Sequence, residues 1–109
     1  MAKRTLPSLL LLLTACAGTQ VPAGQITSPG EALFNGQRRA DLDCYRCHNG
    51  DATGTWRAPN LTKRVAQLSD GEIAGAIARG PGLMPSYRGK LNAAEVAEIT
   101  AWLRSRAAR

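Results

Sequence analysis

The chain has few of the residues that most catalytic and metal-binding sites use. Its 109 residues include one histidine, three cysteines and two methionines, and its aromatic residues are two tryptophans, two tyrosines and one phenylalanine. A single histidine leaves no second imidazole for acid–base catalysis. So few aromatic rings contribute little to a core, and a chain this short is marginally stable unless another group completes that core.

Acidic residues and long apolar runs are also scarce. Lysine and arginine total 14 against 8 aspartates and glutamates, which gives a formal net charge of +6 at pH 7. The arginines are scattered and no nucleic-acid-binding motif accompanies them, so the charge does not indicate a nucleic-acid partner. The longest apolar run, Leu9–Leu13, is far shorter than the roughly 20 residues of a membrane-spanning helix.

Two of the cysteines are grouped with the histidine. Cys44, Cys47 and His48 form a C-x-x-C-H motif, which is the pattern for covalent attachment of c-type haem. Each thiol can add to one haem vinyl group, and the adjacent imidazole can then bind the iron. A redox disulfide would need a strand–helix–strand frame, and no β-rich run flanks the motif. A zinc site would need a fourth ligand, and a chance match to the pattern stays open.

Apart from Met1 the sequence has one methionine, Met84, in a segment rich in glycine and proline. Residues 79–87 read RGPGLMPSY, which excludes a regular helix and predicts a loop. A methionine that only fills a gap in the core usually lies on an apolar helix face. An iron atom bound by His48 has a second axial position, and a thioether ligand there raises the reduction potential. Met84 is therefore predicted to be the second axial ligand.

The order of these motifs resembles that of the small monohaem class I cytochromes c. The resemblance covers about residues 29–106 and rests on Gly30 with Phe34, the C-x-x-C-H motif, Pro59-Asn60-Leu61, Met84-Pro85 and Trp102-Leu103. It implies an all-α, cytochrome c-like fold with three main helices packed around one covalently bound haem c. It also implies single-electron transfer between a donor protein and an acceptor protein, and not an enzyme.

The resemblance implies further roles around the haem. In the family, the proline of the Pro-Asn-Leu segment offers its carbonyl to the ligating histidine, and Pro59 occupies the matching position. Trp56, Arg57 and Tyr87 are candidates for contacts with the haem edge or propionates, with packing or solvent exposure as the alternative. The alternative function is a haem peroxidase or gas sensor with an open or labile sixth ligand, which a firmly bound Met84 would block.

The N-terminus indicates export. Lys3 and Arg4, the leucine run and the small residues after it form a signal sequence, and Leu13-Thr14-Ala15-Cys16 resembles the lipobox of bacterial lipoproteins. That resemblance implies cleavage before Cys16 and acylation of its sulfur and new amino group. The protein would then be lipid-anchored to a membrane of the bacterial cell envelope, facing the periplasm. Ala17, where an aspartate would favour retention at the inner membrane, favours the outer membrane.

These motifs divide the chain into three parts. Residues 1–15 are predicted to be the signal peptide, residues 16–28 the lipidated cysteine with a flexible tether, and residues 29–109 the cytochrome c domain. Loss of the two cations Lys3 and Arg4 lowers the formal charge from +6 to +4. This modest positive charge is suited to redox partners with acidic docking surfaces.

Helix-capping residues predict where the three main helices lie. Ser28 starts the first helix, which is expected to extend to about Ala40. Ser69 starts the second helix, and Gly80 ends it. Asn92 starts the third helix in the same way. The last helix is expected to cross the first at its glycine and aromatic residue.

The rest of the sequence predicts no regular structure beyond the turn of helix at the cysteine motif. Residues 51–67 are expected to be mostly irregular because they contain Gly54, Pro59 and Asn60. No segment predicts a β-strand.

Overall fold

The computed structural model describes residues 18–108, and every regular element in that part of the chain is helical. The α-helices are α1 (Pro29–Phe34), α2 (Tyr45–His48), α3 (Leu61–Arg64), α4 (Asp70–Arg79) and α5 (Ala93–Ala107), and 3-10 helices cover Ala23–Gln25 and Val65–Gln67. An isolated β-bridge joins Thr55 and Ala58. The predicted all-α class is confirmed for this region, whereas packing around a haem stays a prediction.

Helix α1 is shorter than predicted and ends at Phe34 instead of near Ala40. Ser28 caps it as expected, because its hydroxyl accepts a hydrogen bond from the Glu31 backbone N–H at 3.2 Å. The chain then leaves the helix where Gly36 takes a φ of 67°, the left-handed conformation that commonly ends helices. Gly36 therefore lies beyond the end of α1, whereas the sequence analysis placed it inside the helix.

Helices α4 and α5 begin as predicted, and α4 also ends as predicted. Ser69 and Glu72 form a reciprocal capping box at the start of α4, and Asn92 and Glu95 form the same arrangement at the start of α5. Each box satisfies two backbone N–H groups that the first helical turn leaves without partners. Gly80 ends α4 in the left-handed conformation, with a φ of 67°.

The segment between the cysteine motif and α4 contains more helix than predicted. Helix α3 and the second 3-10 helix occupy the last part of residues 51–67, which were expected to be mostly irregular. Asn60 starts α3, since its side-chain oxygen accepts hydrogen bonds from the Thr62 N–H at 2.9 Å and the Thr62 hydroxyl at 2.6 Å. Asparagine favours turns as well as N-caps, so its presence alone does not distinguish the two.

Helices α1 and α5 cross at Gly30, as predicted. A Cβ atom on Gly30 would collide with the carbonyl oxygen of Glu98, so only glycine allows the two backbones to approach this closely. Beside the crossing, the rings of Phe34 and Trp102 pack with centroids 4.9 Å apart. The Phe34 ring also lies 6.3 Å from that of His48, measured between centroids. The helix crossing therefore supports the cysteine–histidine motif directly.

The apolar core is small and extends from this crossing towards α4. Its buried residues are Leu33, Phe34, Leu42, Ala52, Val65, Ile73, Tyr87, Ile99, Trp102 and Leu103. Six of these also line the cavity described below, namely Phe34, Val65, Ile73, Tyr87, Ile99 and Leu103. The core and that cavity are therefore continuous.

Part of the chain before α1 is hydrogen-bonded to the domain. The sequence analysis instead expected residues 16–28 to be the lipidated cysteine with a flexible tether. The Gly18 N–H donates to the Arg46 carbonyl, and the Gly50 N–H donates to the Thr19 carbonyl, each at 2.8 Å. These are contacts between backbone groups, so the lack of apolar periodicity in this segment gave no sign of them.

The predicted signal peptide, residues 1–15, and Cys16 lie outside the residues that the structure describes. Cleavage and acylation therefore stay predictions. Within residues 18–108, none of the helices has both the length and the apolar character needed to cross a bilayer.

Candidate functional site

Helix α2 brings two thiols and an imidazole together. Cys44 directly precedes the helix, and Cys47 and His48 are its last two residues. Residues three and four positions apart lie on the same face of a helix, so Cys44 is adjacent to both of the others. The His48 N–H donates to the Cys44 carbonyl at 3.0 Å. Asn49, with a φ of 67°, ends the helix immediately afterwards.

The imidazole of His48 is buried and oriented by Pro59. Its Nδ1 atom lies 3.1 Å from the Pro59 carbonyl oxygen. Because a carbonyl can only accept a hydrogen bond, Nδ1 carries the proton and Nε2 is the nitrogen left for a metal. Burial lowers the pKa of His48, and the Pro59 carbonyl opposes that shift. His48 is therefore held as the neutral tautomer that can act as a ligand.

The surroundings of the Cys44 thiol disfavour its thiolate form. Burial raises its pKa to about 12, and the negative charge of Asp43 adds to this effect. Redox and nucleophilic cysteines need the thiolate form at neutral pH, so this environment is unsuited to thioredoxin-type chemistry. Across residues 18–108 there is also no group of three or more histidine, cysteine or acidic side chains that could hold a metal ion.

A cavity of about 1050 Å³ lies beside α2, and Cys44, Cys47, His48 and Met84 all line it. The apolar part of its lining comes mainly from Phe34, Leu61, Val65, Leu68, Ile73, Ile77, Ile99 and Leu103. Sites for small molecules and cofactors usually measure about 300–1000 Å³ and are mostly apolar. The cavity is therefore large enough for a sizeable, largely apolar group.

The loop that carries Met84 folds back onto α4. After Gly80 ends the helix, the Tyr87 N–H donates to the Ile77 carbonyl at 3.0 Å, and the Met84 N–H donates to the Pro81 carbonyl at 3.1 Å. Met84 is half-buried and lines the cavity. The fold therefore brings the predicted axial ligands, which are far apart in sequence, to the same cavity.

Tyr87 connects this loop to the cysteine motif through Asp43. Its hydroxyl donates a hydrogen bond to Asp43 Oδ1 at 2.7 Å, and its ring is buried and lines the cavity. Burial and the hydrogen bond with Asp43 raise the pKa of Tyr87 far above its ordinary value. The sequence analysis missed Asp43, because no local pattern signals a contact across 44 positions of sequence.

The structure separates the two neighbouring candidates Trp56 and Arg57. Arg57 lines the cavity, whereas Trp56 lies outside its lining and is 75% exposed. The Arg57 guanidinium lies 5.3 Å from the centre of the Trp56 ring. The preceding residue, Thr55, was also missed from the sequence, and its hydroxyl donates to the Cys47 carbonyl at 2.6 Å. Thr55 therefore helps to hold the end of α2.

The side chains of the site fit a haem. The cavity is mostly apolar and is lined by one oriented imidazole, one thioether and two thiols that are one helical turn apart. An imidazole and a thioether are the axial ligands that hold haem iron in cytochromes c. Arginines at the cavity, namely Arg46, Arg57, Arg64 and Arg79, are suited to carboxylate groups such as propionates.

The chain matches the model of a known protein family. Residues 27–103 match a family model described as cytochrome C oxidase, cbb3-type, subunit III. The matched region contains the cysteine motif, the Met84 loop and most of α5, and so includes every candidate residue of the haem site described above. A search of curated proteins finds no significant match.

Proposed function

Since this chain belongs to the family described as cytochrome C oxidase, cbb3-type, subunit III, it is a c-type cytochrome of electron transfer, and we propose that it uses one haem c bound beside α2. In this proposal, Cys44 and Cys47 would bind the haem covalently through thioether bonds, and His48 and Met84 would hold its iron. The proposal rests chiefly on one observation, that these four side chains line the same cavity.

Each of these residues has a defined task. The haem, when bound, supplies the one-electron chemistry, and the protein sets its orientation and electrostatic environment. Cys44 and Cys47 would hold the group covalently, while the Pro59 carbonyl fixes the ring orientation of His48 and would raise its basicity as a ligand. The thioether of Met84 would favour the reduced iron and so raise the potential. The apolar walls limit access of water, which also affects the potential.

The chemistry of the site favours an electron carrier over a peroxidase or gas sensor. Both of those functions need a coordination position that a small molecule can reach. In the proposed site Met84 occupies that position, and the sequence has no second histidine to act as a distal acid or base. A stable bond between Met84 and iron would therefore restrict the protein to outer-sphere electron transfer.

The proposed location is the bacterial cell envelope. The lipobox-like Leu13-Thr14-Ala15-Cys16 supports acylation of Cys16, and several acyl chains together give stable membrane binding. The haem domain would then face the periplasm, with the outer membrane favoured by Ala17. We expect Cys16→Ser to release the domain from membranes without changing its haem spectrum. Retention of this variant on membranes after a high-salt wash would contradict the lipid anchor.

Redox proteins with acidic surfaces are the proposed partners. The mature chain would carry a formal charge of +4 before the haem propionates are counted, because removal of the signal peptide takes two cations from the total of +6. Opposite charges on partner surfaces speed association and select orientation. A partner could be met transiently or within one complex, and purification of the native protein from membranes under mild conditions distinguishes these two modes.

A pyridine haemochrome spectrum tests the proposed cofactor. The full chain would be produced in a host with c-type cytochrome maturation, and haem would be measured against protein. We expect one haem c per chain, still attached after acid–acetone extraction, since thioether bonds resist that treatment. A haem that is extracted completely, or a protein without haem, would contradict the proposal.

A further inference from the structure

Residues 18–21, which we call the N-terminal segment, are hydrogen-bonded to the backbone of the C-x-x-C-H motif and of the residues that follow it. Its Gly18 N–H donates to the Arg46 carbonyl, and its Thr19 carbonyl accepts from the Gly50 N–H, each at 2.8 Å. The Thr19 N–H also donates to Asn49 Oδ1 at 2.9 Å. The segment therefore pairs with the chain on both sides of His48.

Asn35 binds Val21, at the other end of the N-terminal segment, through a side-chain hydrogen bond. Its side chain is fully buried, and Oδ1 accepts a hydrogen bond from the Val21 N–H at 2.8 Å, while Nδ2 donates to the Gly50 carbonyl at 3.0 Å. The Val21 carbonyl in turn accepts from Gln37 Nε2 at 2.9 Å. A buried side chain that satisfies donors and acceptors on separate segments fixes their relative positions.

The fit between the N-terminal segment and α2 leaves no space for a side chain at Gly18. A Cβ atom there would collide with the carbonyl oxygen of Tyr45. On the facing chain, a Cβ atom on Gly50 would lie 2.5 Å from the Thr19 carbonyl oxygen. The two backbones are therefore in direct contact at both glycines. The contact involves the carbonyl groups of α2, whereas its thiols and imidazole line the cavity.

This attachment limits how far the domain can be from the proposed lipid anchor. Cys16 precedes Gly18 by two residues, and two extended residues span no more than about 8 Å. We propose that acylated Cys16 holds the haem domain directly against the lipid bilayer in one orientation, with the outer side of α2 facing the headgroups. This inference rests on the proposed lipidation of Cys16.

The orientation also determines which side faces the aqueous phase. Helix α4 and α2 both line the cavity, so a cofactor-sized space separates them and α4 lies away from the anchored side. The Arg46 carbonyl bonds to Gly18 next to the proposed anchor, whereas Arg79 is the last residue of α4. Both side chains are exposed at the edge of the cavity. Arg46 therefore reports on the side of the domain nearest the anchor, and Arg79 reports with the same chemistry on the side formed by α4.

Arginine labelling on vesicles tests the orientation. The acylated haem-loaded protein would be reconstituted in vesicles of phosphatidylethanolamine and phosphatidylglycerol and treated with an arginine-selective dicarbonyl reagent. Cys16→Ser with the same vesicles is the reference, and mass spectrometry measures the rate at each site. We expect labelling of Arg46 to be several-fold slower in the acylated protein than in the reference, with the Arg79 rate unchanged.

A variant with a longer connection provides the matched control. Insertion of Gly-Ser-Gly-Ser-Gly-Ser between Ala17 and Gly18 adds about 20 Å of reach and leaves the acylation site and the haem domain unchanged. Its haem spectrum checks that the domain is intact. We expect this variant to stay on the vesicles while its Arg46 labelling returns to the rate of the reference.

Two results would overturn the inference, and they are distinguishable. If the protein is acylated by mass and pellets with vesicles, but Arg46 and Arg79 are slowed equally or not at all, the fixed orientation is wrong and the lipid anchor stands. If the mass shows no acyl chains and the protein does not pellet, the lipid anchor is wrong and the inference falls with it.

Discussion

At the scale of single residues, Tyr87 links the loop that carries Met84 to the segment that carries Cys44. Its hydroxyl donates to Asp43 at 2.7 Å, and its backbone N–H donates to the Ile77 carbonyl at 3.0 Å. Tyr87 is thus hydrogen-bonded both to α4, which precedes the Met84 loop, and to Asp43, which precedes the cysteine motif. Tyr87 is therefore a positioning residue for Met84.

We expect Tyr87→Phe to lower the free energy of unfolding of the haem-loaded protein by about 1–2 kcal/mol, since a hydrogen bond to a charged acceptor is lost. The temperature at which the ferric sulfur-to-iron charge-transfer band disappears should fall as well, because the Met84 loop loses one attachment. Urea unfolding and thermal absorption scans measure these effects.

Tyr45→Phe is the matched control for this prediction. It removes the same hydroxyl from the tyrosine inside the C-x-x-C-H motif, on the first turn of α2, and leaves the bond between Tyr87 and Asp43 in place. A smaller loss of stability is expected for Tyr45→Phe. Equal losses in the two variants would show that the Asp43 hydrogen bond has no specific stabilising role.

The residues of the site differ in how far sequence could predict them. The contact between His48 and Pro59 follows from a motif with a nearly fixed spacing, and the structure has it at 3.1 Å. The contact between Tyr87 and Asp43 depends on how distant segments meet, so only the fold reveals it. Trp56, a candidate because of its type and neighbours, lies outside the cavity lining.

At the scale of elements, the crossing of α1 and α5 depends on the absence of a side chain at Gly30. We expect Gly30→Ala to lower the free energy of unfolding by about 1–3 kcal/mol, because an added methyl group in a packed contact forces the helices apart. The collision would be with the Glu98 carbonyl, which belongs to the backbone and cannot rotate away. Urea unfolding of the haem-loaded protein measures the loss.

Gly24→Ala is the control for the crossing, because a Cβ atom at Gly24 would have no neighbour within 4 Å. Its stability should be close to that of wild type. If Gly30→Ala is as stable as Gly24→Ala, the helices adjust without cost and the close approach is not a requirement of the fold.

The capping box of α5 gives the fold a dependence on acid pH. The hydrogen bond with Asn92 and then the hydrogen bond with Arg39 lower the pKa of Glu95 below its ordinary value of 4.5. A carboxyl group whose pKa is lower in the folded state contributes stability that is fully present above the unfolded value. That contribution is lost as the pH falls through the lower, folded pKa.

Glu95→Gln should therefore reduce the acid sensitivity of the protein. Glutamine keeps an oxygen that can accept the Asn92 N–H but cannot be protonated in this range, so the unfolding free energy should decline less steeply below pH 4.5. Urea unfolding over a pH series gives the slope. Glu98→Gln removes a charge from the same helix outside the capping box, and a slope change as large in that variant would contradict the assignment.

Elements with local start and stop signals could be predicted, and those fixed by tertiary contacts could not. Helices α4 and α5 start at reciprocal capping boxes, and α4 ends at Gly80. The first helix was predicted too long because Gly36 is compatible with a weak helix interior as well as with a helix end. The N-terminal segment has no pattern at all, since its attachment uses backbone groups and Asn35.

At the scale of the whole molecule, the candidate site is a cavity in a position where a larger protein would have further buried side chains. The buried apolar residues adjoin a cavity of about 1050 Å³, and domains of this size bury a smaller share of their surface than larger domains do. A covalently bound apolar group would complete the core and link α2 to the rest of the fold. Haem attachment and folding are therefore expected to be coupled.

We expect the double variant Cys44→Ser with Cys47→Ser to give little folded protein. Circular dichroism during urea titration should show no cooperative transition for it, in contrast to the haem-loaded wild type. Each single variant keeps one thioether and should fall between the two. A double variant that unfolds cooperatively without haem would show that the protein core is sufficient by itself.

The measurement that most directly tests the electron-carrier function compares wild type with Met84→Ala in the ferric absorption spectrum and in carbon monoxide titration of the ferrous form. Wild type should show the sulfur-to-iron charge-transfer band and bind carbon monoxide poorly. Met84→Ala should keep its covalent haem, lose the band and bind carbon monoxide readily. Its potential should fall by on the order of a tenth of a volt, since axial ligands tune haem potentials over a wide range. If wild type already lacks the band and binds carbon monoxide readily, Met84 is not the ligand, and a sensor or peroxidase function replaces that of an electron carrier.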